Sequence, residues 1–179
     1  VALGAIAGPH VGKHLDPTRR TPLHDWHVAN GAKMYEAGQW LRPRVYMRGV
    51  ESFREAWIRE VSTVRGKVGI ADVSTLGKID VQGPDAAAFL DRLYCNPIRS
   101  LPVGKARYGL MLRDDGMVMD DGTLARIGEH RYYMTTTTAN AGKVMAMMEH
   151  LLQVDWPTLR VAVSSISDQW AQIACAGPE

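Results

Sequence analysis

Apolar residues recur at helical spacing in two long stretches of the chain. In residues 51–65, Phe53, Trp57, Val61 and Val64 fall at i, i+4, i+8 and i+11. That period predicts an amphipathic helix with this face buried, and Gly66 supplies a stop. In residues 140–154, Val144, Met147, Met148, Leu151 and Leu152 repeat the pattern and predict a second long helix. A shorter helix is expected to open at Gly83-Pro84-Asp85 and run through Leu93. A missing N–H and a negative charge are both tolerated in a first turn. Elsewhere the pattern is that of strands. Residues 78–82 alternate strictly, and residues 105–113 place Tyr108, Leu110 and Leu112 on one face. Residues 68–73, 117–126, 131–138, 160–165 and 170–176 also read as strands, with 96–102 as a loop. Asp114-Asp115-Gly116 and Gly128-Glu129-His130 mark tight turns between successive strands. Residues 1–50 carry Pro9, Pro17, Pro22 and Pro43 and show no period. They predict an extended segment wrapped over a core. The order of elements gives the α+β class, with helices packed on a mixed, mainly antiparallel sheet.

Composition narrows this picture without changing it. The chain has 179 residues, 46% hydrophobic and 22% charged, enough for one sizeable core or two small ones. Lys and Arg number 21 against 19 Asp and Glu, a formal charge of +2. So even a balance argues against a nucleic-acid or anionic-membrane surface. No apolar run approaches the roughly 18–20 residues of a membrane helix. Cys95 and Cys175 are too few for a disulfide scaffold or a zinc site, so a reducing cytoplasm is expected. The chain opens on Val1, and Gly177-Pro178-Glu179 reads as a turn about to start a helix. Residues 1–20 are expected to be a linker from an upstream region, and residues 21–179 the first part of a domain continuing past residue 179.

Candidate chemistry is sparse. Asp120 and Asp121 follow three apolar residues within a strand. Successive strand residues point to opposite faces, so the two carboxylates should not share one site. One can serve a cleft while the other is structural, and the residues alone leave open which. His24 and His27 lie three apart and could share a metal only with a further ligand, which the local sequence does not supply. The run Thr135-Thr136-Thr137-Thr138 suits a strand and could line a polar site with alternate hydroxyls. Phosphate-loop, G-x-S-x-G and H-E-x-x-H motifs are missing.

Taken together, several motifs resemble the glycine-cleavage T-protein (aminomethyltransferase) family. They are Thr21-Pro22-Leu23-His24 with Gly31-Ala32-Lys33-Met34 and Gly38-Gln39-Trp40, then Val68-Gly69-Ile70-Ala71-Asp72-Val73-Ser74. Gly83-Pro84-Asp85-Ala86, Tyr108, Gly116 to Asp121 and Ala176-Gly177-Pro178 complete the set. A second set is similar to the T-protein-like region in alpha subunits of heterotetrameric sarcosine oxidases. It comprises Leu41-Arg42-Pro43-Arg44, Ser74-Thr75-Leu76-Gly77-Lys78, Asp120-Asp121-Gly122, Met134 through Thr138, and Asp168-Gln169-Trp170. The resemblance implies the first half of a T-protein folate-binding fold, with tetrahydrofolate as cofactor and capture of the methylene iminium from oxidised sarcosine as 5,10-methylenetetrahydrofolate. It places Asp121 by the folate nitrogens as the catalytic carboxylate, Tyr108 beside the pterin, and Thr123, Leu76 and Thr137 as further folate contacts. Leu76 stands where the family has Met, Thr75 where it has His, and Thr137 where it has Asn. Flavin and NAD are expected only in other regions or subunits, and no resident metal is expected. The partners implied are the remaining alpha-subunit regions and the beta, gamma and delta subunits.

The implied chemistry suits the residue types. A nitrogen attacking an iminium carbon must shed a proton, and a nearby carboxylate can accept it. An alternative from another class is a non-catalytic folate-binding or iron–sulfur-assembly module of the same superfamily, whose K-G-C-Y-x-G motif does not occur within residues 1–179. A third is a hydrolase holding a metal on His24, His27 and Asp121. A chain excised at residue 179 is expected to bind folate weakly or not at all, and to expose apolar surface through which it can self-associate.

Overall fold

The computed structural model describes residues 18–179, and these divide into two compact units. The expected linker thus lies outside the described residues except at its end, where Arg19 and Arg20 are strand.

The first unit comprises the described residues up to Thr75 together with Ala171–Glu179. It opens with β1 (Arg19–Arg20), helix α1 (His24–Ala29) and a hairpin of β2 (Ala32–Ala37) and β3 (Trp40–Tyr46). Strand order is β1-β3-β2, with β1 parallel to β3 and β2 antiparallel to it. Residues 21–50 are therefore a helix and a hairpin, which corrects the expectation of an irregular wrap. The short elements hid from periodicity because Pro43 sits inside β3 and a bulge at Lys33/Met34 breaks the alternation of β2.

Helix α2 (Phe53–Gly66) starts at a capping box. The Ser52 hydroxyl accepts the Glu55 N–H, and the Glu55 carboxylate accepts the Ser52 N–H. The helix is where the sequence puts it, but its buried face is not. Phe53, Trp57, Val61 and Val64 are exposed, at 42, 55, 40 and 37%, and the residue α2 buries is Ala56. Polar contacts set the rotation. The Arg59 guanidinium donates to the Tyr46 carbonyl, and Glu60 accepts the Tyr46 N–H. The unit closes with β4 (Gly69–Asp72) paired antiparallel to β10 (Ile173–Ala176).

The second unit, Leu76–Trp170, is a five-stranded antiparallel sheet in the order β6-β7-β8-β5-β9. The strands are β5 (Gly77–Gln82), β6 (Ala106–Leu112), β7 (Val118–Gly128), β8 (Arg131–Thr136) and β9 (Ala162–Ser165). One face packs on α3 (Ala86–Leu93) and α4 (Ala141–His150). Its core joins Ile79, Val81, Phe89, Leu90, Met111, Leu124, Tyr132, Met134, Val144 and Met148. Each apolar Å2 removed from water contributes roughly 25 cal/mol, so this burial is the main force holding the unit together.

Several boundaries move by a few residues from the expected ones. The second long helix ends at His150 and widens into a π turn over Leu151–Asp155, whose Trp156 N–H reaches the Leu151 carbonyl. Trp156 then meets Phe89 edge-on at 5.9 Å. The expected strand over 170–176 begins only at Ile173, after a 3-10 turn at Ser167–Gln169. Asp85 takes the N-cap position of α3 without capping it. Its carboxylate instead accepts from the Arg160 backbone and guanidinium. Cys95 and Cys175 are free and exposed. Among the described residues no helix is long and apolar enough to cross a membrane.

Candidate functional site

The β6–β7 hairpin decides where its side chains point. Gly116 supplies the left-handed φ of +79° that its turn needs. The ladder then sets Tyr108 opposite Thr123, Gly109 opposite Gly122, Leu110 opposite Asp121 and Met111 opposite Asp120. Alternation sends Met111, Asp120 and Leu124 to the packed face and Tyr108, Asp121 and Thr123 to the other.

The two carboxylates are thereby separated. Asp120 is 2% exposed. It accepts the Thr137 N–H at 3.1 Å, the Thr137 hydroxyl at 2.6 Å and the Asn140 amide at 3.3 Å. It fastens the end of β8 and the start of α4 to β7. Asp121 is half-buried, and one of its oxygens accepts the Tyr108 hydroxyl from the diagonal position on β6. The Tyr108 ring is 58% exposed. The hydrogen bond to Asp121 raises the Tyr108 phenol above its ordinary value, with desolvation and the charges of Asp121 and Asp120 acting in the same direction.

Thr123 is exposed next to this pair, and its N–H donates to the Thr135 hydroxyl at 2.9 Å. A side chain thus replaces a ladder bond where β7 and β8 part. Gly122 lies at the same point, and a Cβ there would sit 1.9 Å from the Thr135 carbonyl oxygen. Only glycine allows that approach without a shift. The structure therefore brings Tyr108, Asp121 and Thr123 together. It gives Thr137 to Asp120, whose carboxylate takes both its N–H and its hydroxyl. Leu76 is half-buried with its carbonyl accepting from Lys78 Nζ at 3.1 Å, and among the described residues no hydrogen bond joins it to the other three. Sequence reasoning missed Thr135. The run of four threonines was the signal, but β propensity alone could not say which hydroxyl turns to β7.

The histidine pair resolves differently. His27 is 2% exposed. Its Nε2 lies 2.8 Å from an Asp72 oxygen, and its Nδ1 lies 2.6 Å from the Tyr46 hydroxyl. Both ring nitrogens are thus committed to protein partners. Among the described residues no three His, Cys, Asp or Glu side chains could share a metal ion. Burial pushes the Asp72 carboxyl up, but hydrogen bonds from His27 and Ser74 outweigh it and hold it down at about 2.

An α+β unit with a two-carboxylate hairpin is the class that this fold and geometry define. Residues 23–179 match the family model of the GCVT N-terminal domain, and the chain belongs to that family. It is 53% identical, over its whole length, to sarcosine oxidase subunit alpha of Rhizobium meliloti (strain 1021), covering 18% of that protein. It is 37% identical over 162 residues to the aminomethyltransferase of Thermotoga maritima, a match taking in 90% of this chain and 41% of that one. The crystal structure of the glycine cleavage system aminomethyltransferase T from Bartonella henselae superposes with a TM-score of 0.76 at 26% identity, covering 90% of this chain and 41% of that chain. The chain thus spans less than a fifth of the sarcosine oxidase relatives and about two fifths of the aminomethyltransferases.

Proposed function

We propose that this chain is the first part of a folate-binding region in a sarcosine oxidase alpha subunit, where it helps to capture a one-carbon unit released by amine oxidation. The observation that carries the reading is the Tyr108–Asp121 pair, held on the open face of the β6–β7 hairpin while Asp120 is consumed inside. The donor set fits a reduced pterin. Tyr108 offers an exposed aromatic face for stacking, Asp121 a carboxylate for ring N–H groups, and Thr123 a hydroxyl beside them. Tetrahydrofolate, when bound, supplies the nitrogen nucleophile that takes up the carbon.

Asp121 does two things in this account. Its negative charge stabilises positive charge developing at the attacking nitrogen, and its free oxygen accepts the proton that nitrogen must lose. An arylammonium is a strong acid, so an ordinary carboxylate suffices. Tyr108 holds Asp121 in one orientation and leaves its second oxygen for the ligand. Amine oxidation itself belongs to flavin- and NAD-binding parts outside these residues, in other regions of the alpha subunit or in other subunits.

The test is to oxidise sarcosine with the intact enzyme carrying Asp121→Ala while tetrahydrofolate is present. Sarcosine oxidation should continue, but 5,10-methylenetetrahydrofolate should fall by roughly 10²–10⁴-fold and formaldehyde appear in its place. Unchanged methylene transfer would remove Asp121 from the mechanism.

A further inference from the structure

The first unit contains a cavity of about 420 Å3 that the folate reading does not use. Trp26, Tyr46, Arg48, Glu60, Ile70 and Ile173 are among the residues that line it, together with His27 and Asp72. Its polar groups can be assigned proton by proton. Asp72 is ionised and has no hydrogen to give, so the hydrogen between it and His27 sits on Nε2. In the neutral ring His27 Nδ1 is an acceptor, and the Tyr46 hydroxyl donates to it. The only proton on Tyr46 is thus spent inward, and its oxygen offers the cavity lone pairs alone. Burial and the charges of Glu60 and Asp72 raise the Tyr46 phenol, which keeps that proton in place.

Glu60 extends the same surface. One of its oxygens accepts the Tyr46 N–H at 2.7 Å, and the other makes no hydrogen bond among the described residues. The two guanidiniums on the wall differ. Arg59 is tied to Glu51 and to the Tyr46 carbonyl. The Arg48 guanidinium makes no hydrogen bond or ion pair among the described residues. The lining also carries apolar side chains open to solvent, with Trp26 54%, Ile70 74% and Ile173 47% exposed.

We propose that this cavity is a binding site for a small ammonium carboxylate with an apolar side chain, which is to say an amino acid. The ammonium donates to the Tyr46 oxygen and Glu60, the carboxylate pairs with Arg48, and the side chain lies along Trp26, Ile70 and Ile173. A simple anion would meet the lone pairs and charge of Tyr46 and Glu60. A neutral apolar molecule would bury those acceptors with no hydrogen to receive. A zwitterion answers both the acceptors and the guanidinium in the lining.

The site is tested on the isotopically labelled chain by following the Trp26 indole N–H, assigned with Trp26→Phe, as L-leucine, isoamylamine and isovalerate are added in turn. L-Leucine should shift this signal saturably and bind roughly tenfold or more tightly than either half-molecule. Arg48→Met should weaken L-leucine roughly tenfold and leave isoamylamine unchanged, and Glu60→Gln should weaken both. Both substitutions leave the Tyr46–His27–Asp72 chain in place. Three results overturn the proposal: no shift with L-leucine up to about 50 mM, L-leucine binding no tighter than isoamylamine, or L-leucine binding untouched by either substitution. None of these outcomes depends on folate.

Discussion

Each unit carries a tyrosine hydroxyl tied to an aspartate, and the two arrangements do opposite work. In the first unit Tyr46 reaches Asp72 through His27, and the histidine ring and the carboxylate are sealed from solvent. In the second, Tyr108 reaches Asp121 directly on an open face. Burial makes the difference. A sealed ion must have every lone pair answered, so its geometry is fixed and its loss is costly. A half-open carboxylate keeps one oxygen in reach of a ligand, and water replaces any partner it loses. The same pair of residue types is thus a fastening in one setting and, on the proposed function, a reagent in the other.

The sharpest way to break this contrast is Asp72→Ala. It leaves His27 buried without its acceptor and should cost about 3–5 kcal/mol in urea unfolding. A loss below about 1 kcal/mol would put Asp72 in the same class as an exposed carboxylate. Next in size is an acid effect. The folded carboxyl of Asp72 lies at about 2, below the ordinary value of 3.8. Its stabilisation is therefore fully present above pH ~4 and lost as pH falls towards 2, worth about 2 kcal/mol. Unfolding measured across that window should show the loss in the wild type, and Asp72→Asn should lack this component.

The two neighbouring aspartates give a smaller but cleaner comparison. Asp120→Ala strands the Thr137 and Asn140 donors and should destabilise by about 1–3 kcal/mol. Asp121→Ala should stay within about 0.5 kcal/mol of wild type. Equal losses would mean that the hairpin does not sort them. The smallest effect is spectroscopic. Asp121 raises the Tyr108 phenol, so in Asp121→Asn that phenol should titrate at lower pH, read by NMR of the labelled ring, with stability unchanged.

Period and turn chemistry made the second unit legible. The strands around Asp114-Asp115-Gly116 and the helix at 86–93 lie within a few residues of expectation, because each has one face in a continuous core. Strand alternation alone required Asp120 and Asp121 to part, although only their partners show which one is spent. The first unit was harder to read. Its elements are short, and α2 is rotated by Arg59 and Glu60 rather than by its apolar stripe. His27 was visible as a histidine, but Asp72 lies 45 positions away and Tyr46 lies 19 away, and nothing local marks them as its partners. Long-range polar chemistry has no periodic trace in a sequence.

The central claim is that Asp121, and not its buried neighbour, faces the ligand. Its most direct test is a calorimetric titration of 5-formyltetrahydrofolate into the intact subunit carrying Asp121→Ala, set beside wild type under conditions where both are folded. Affinity should fall at least roughly tenfold with the fold intact. Wild-type affinity in that variant would contradict the assignment.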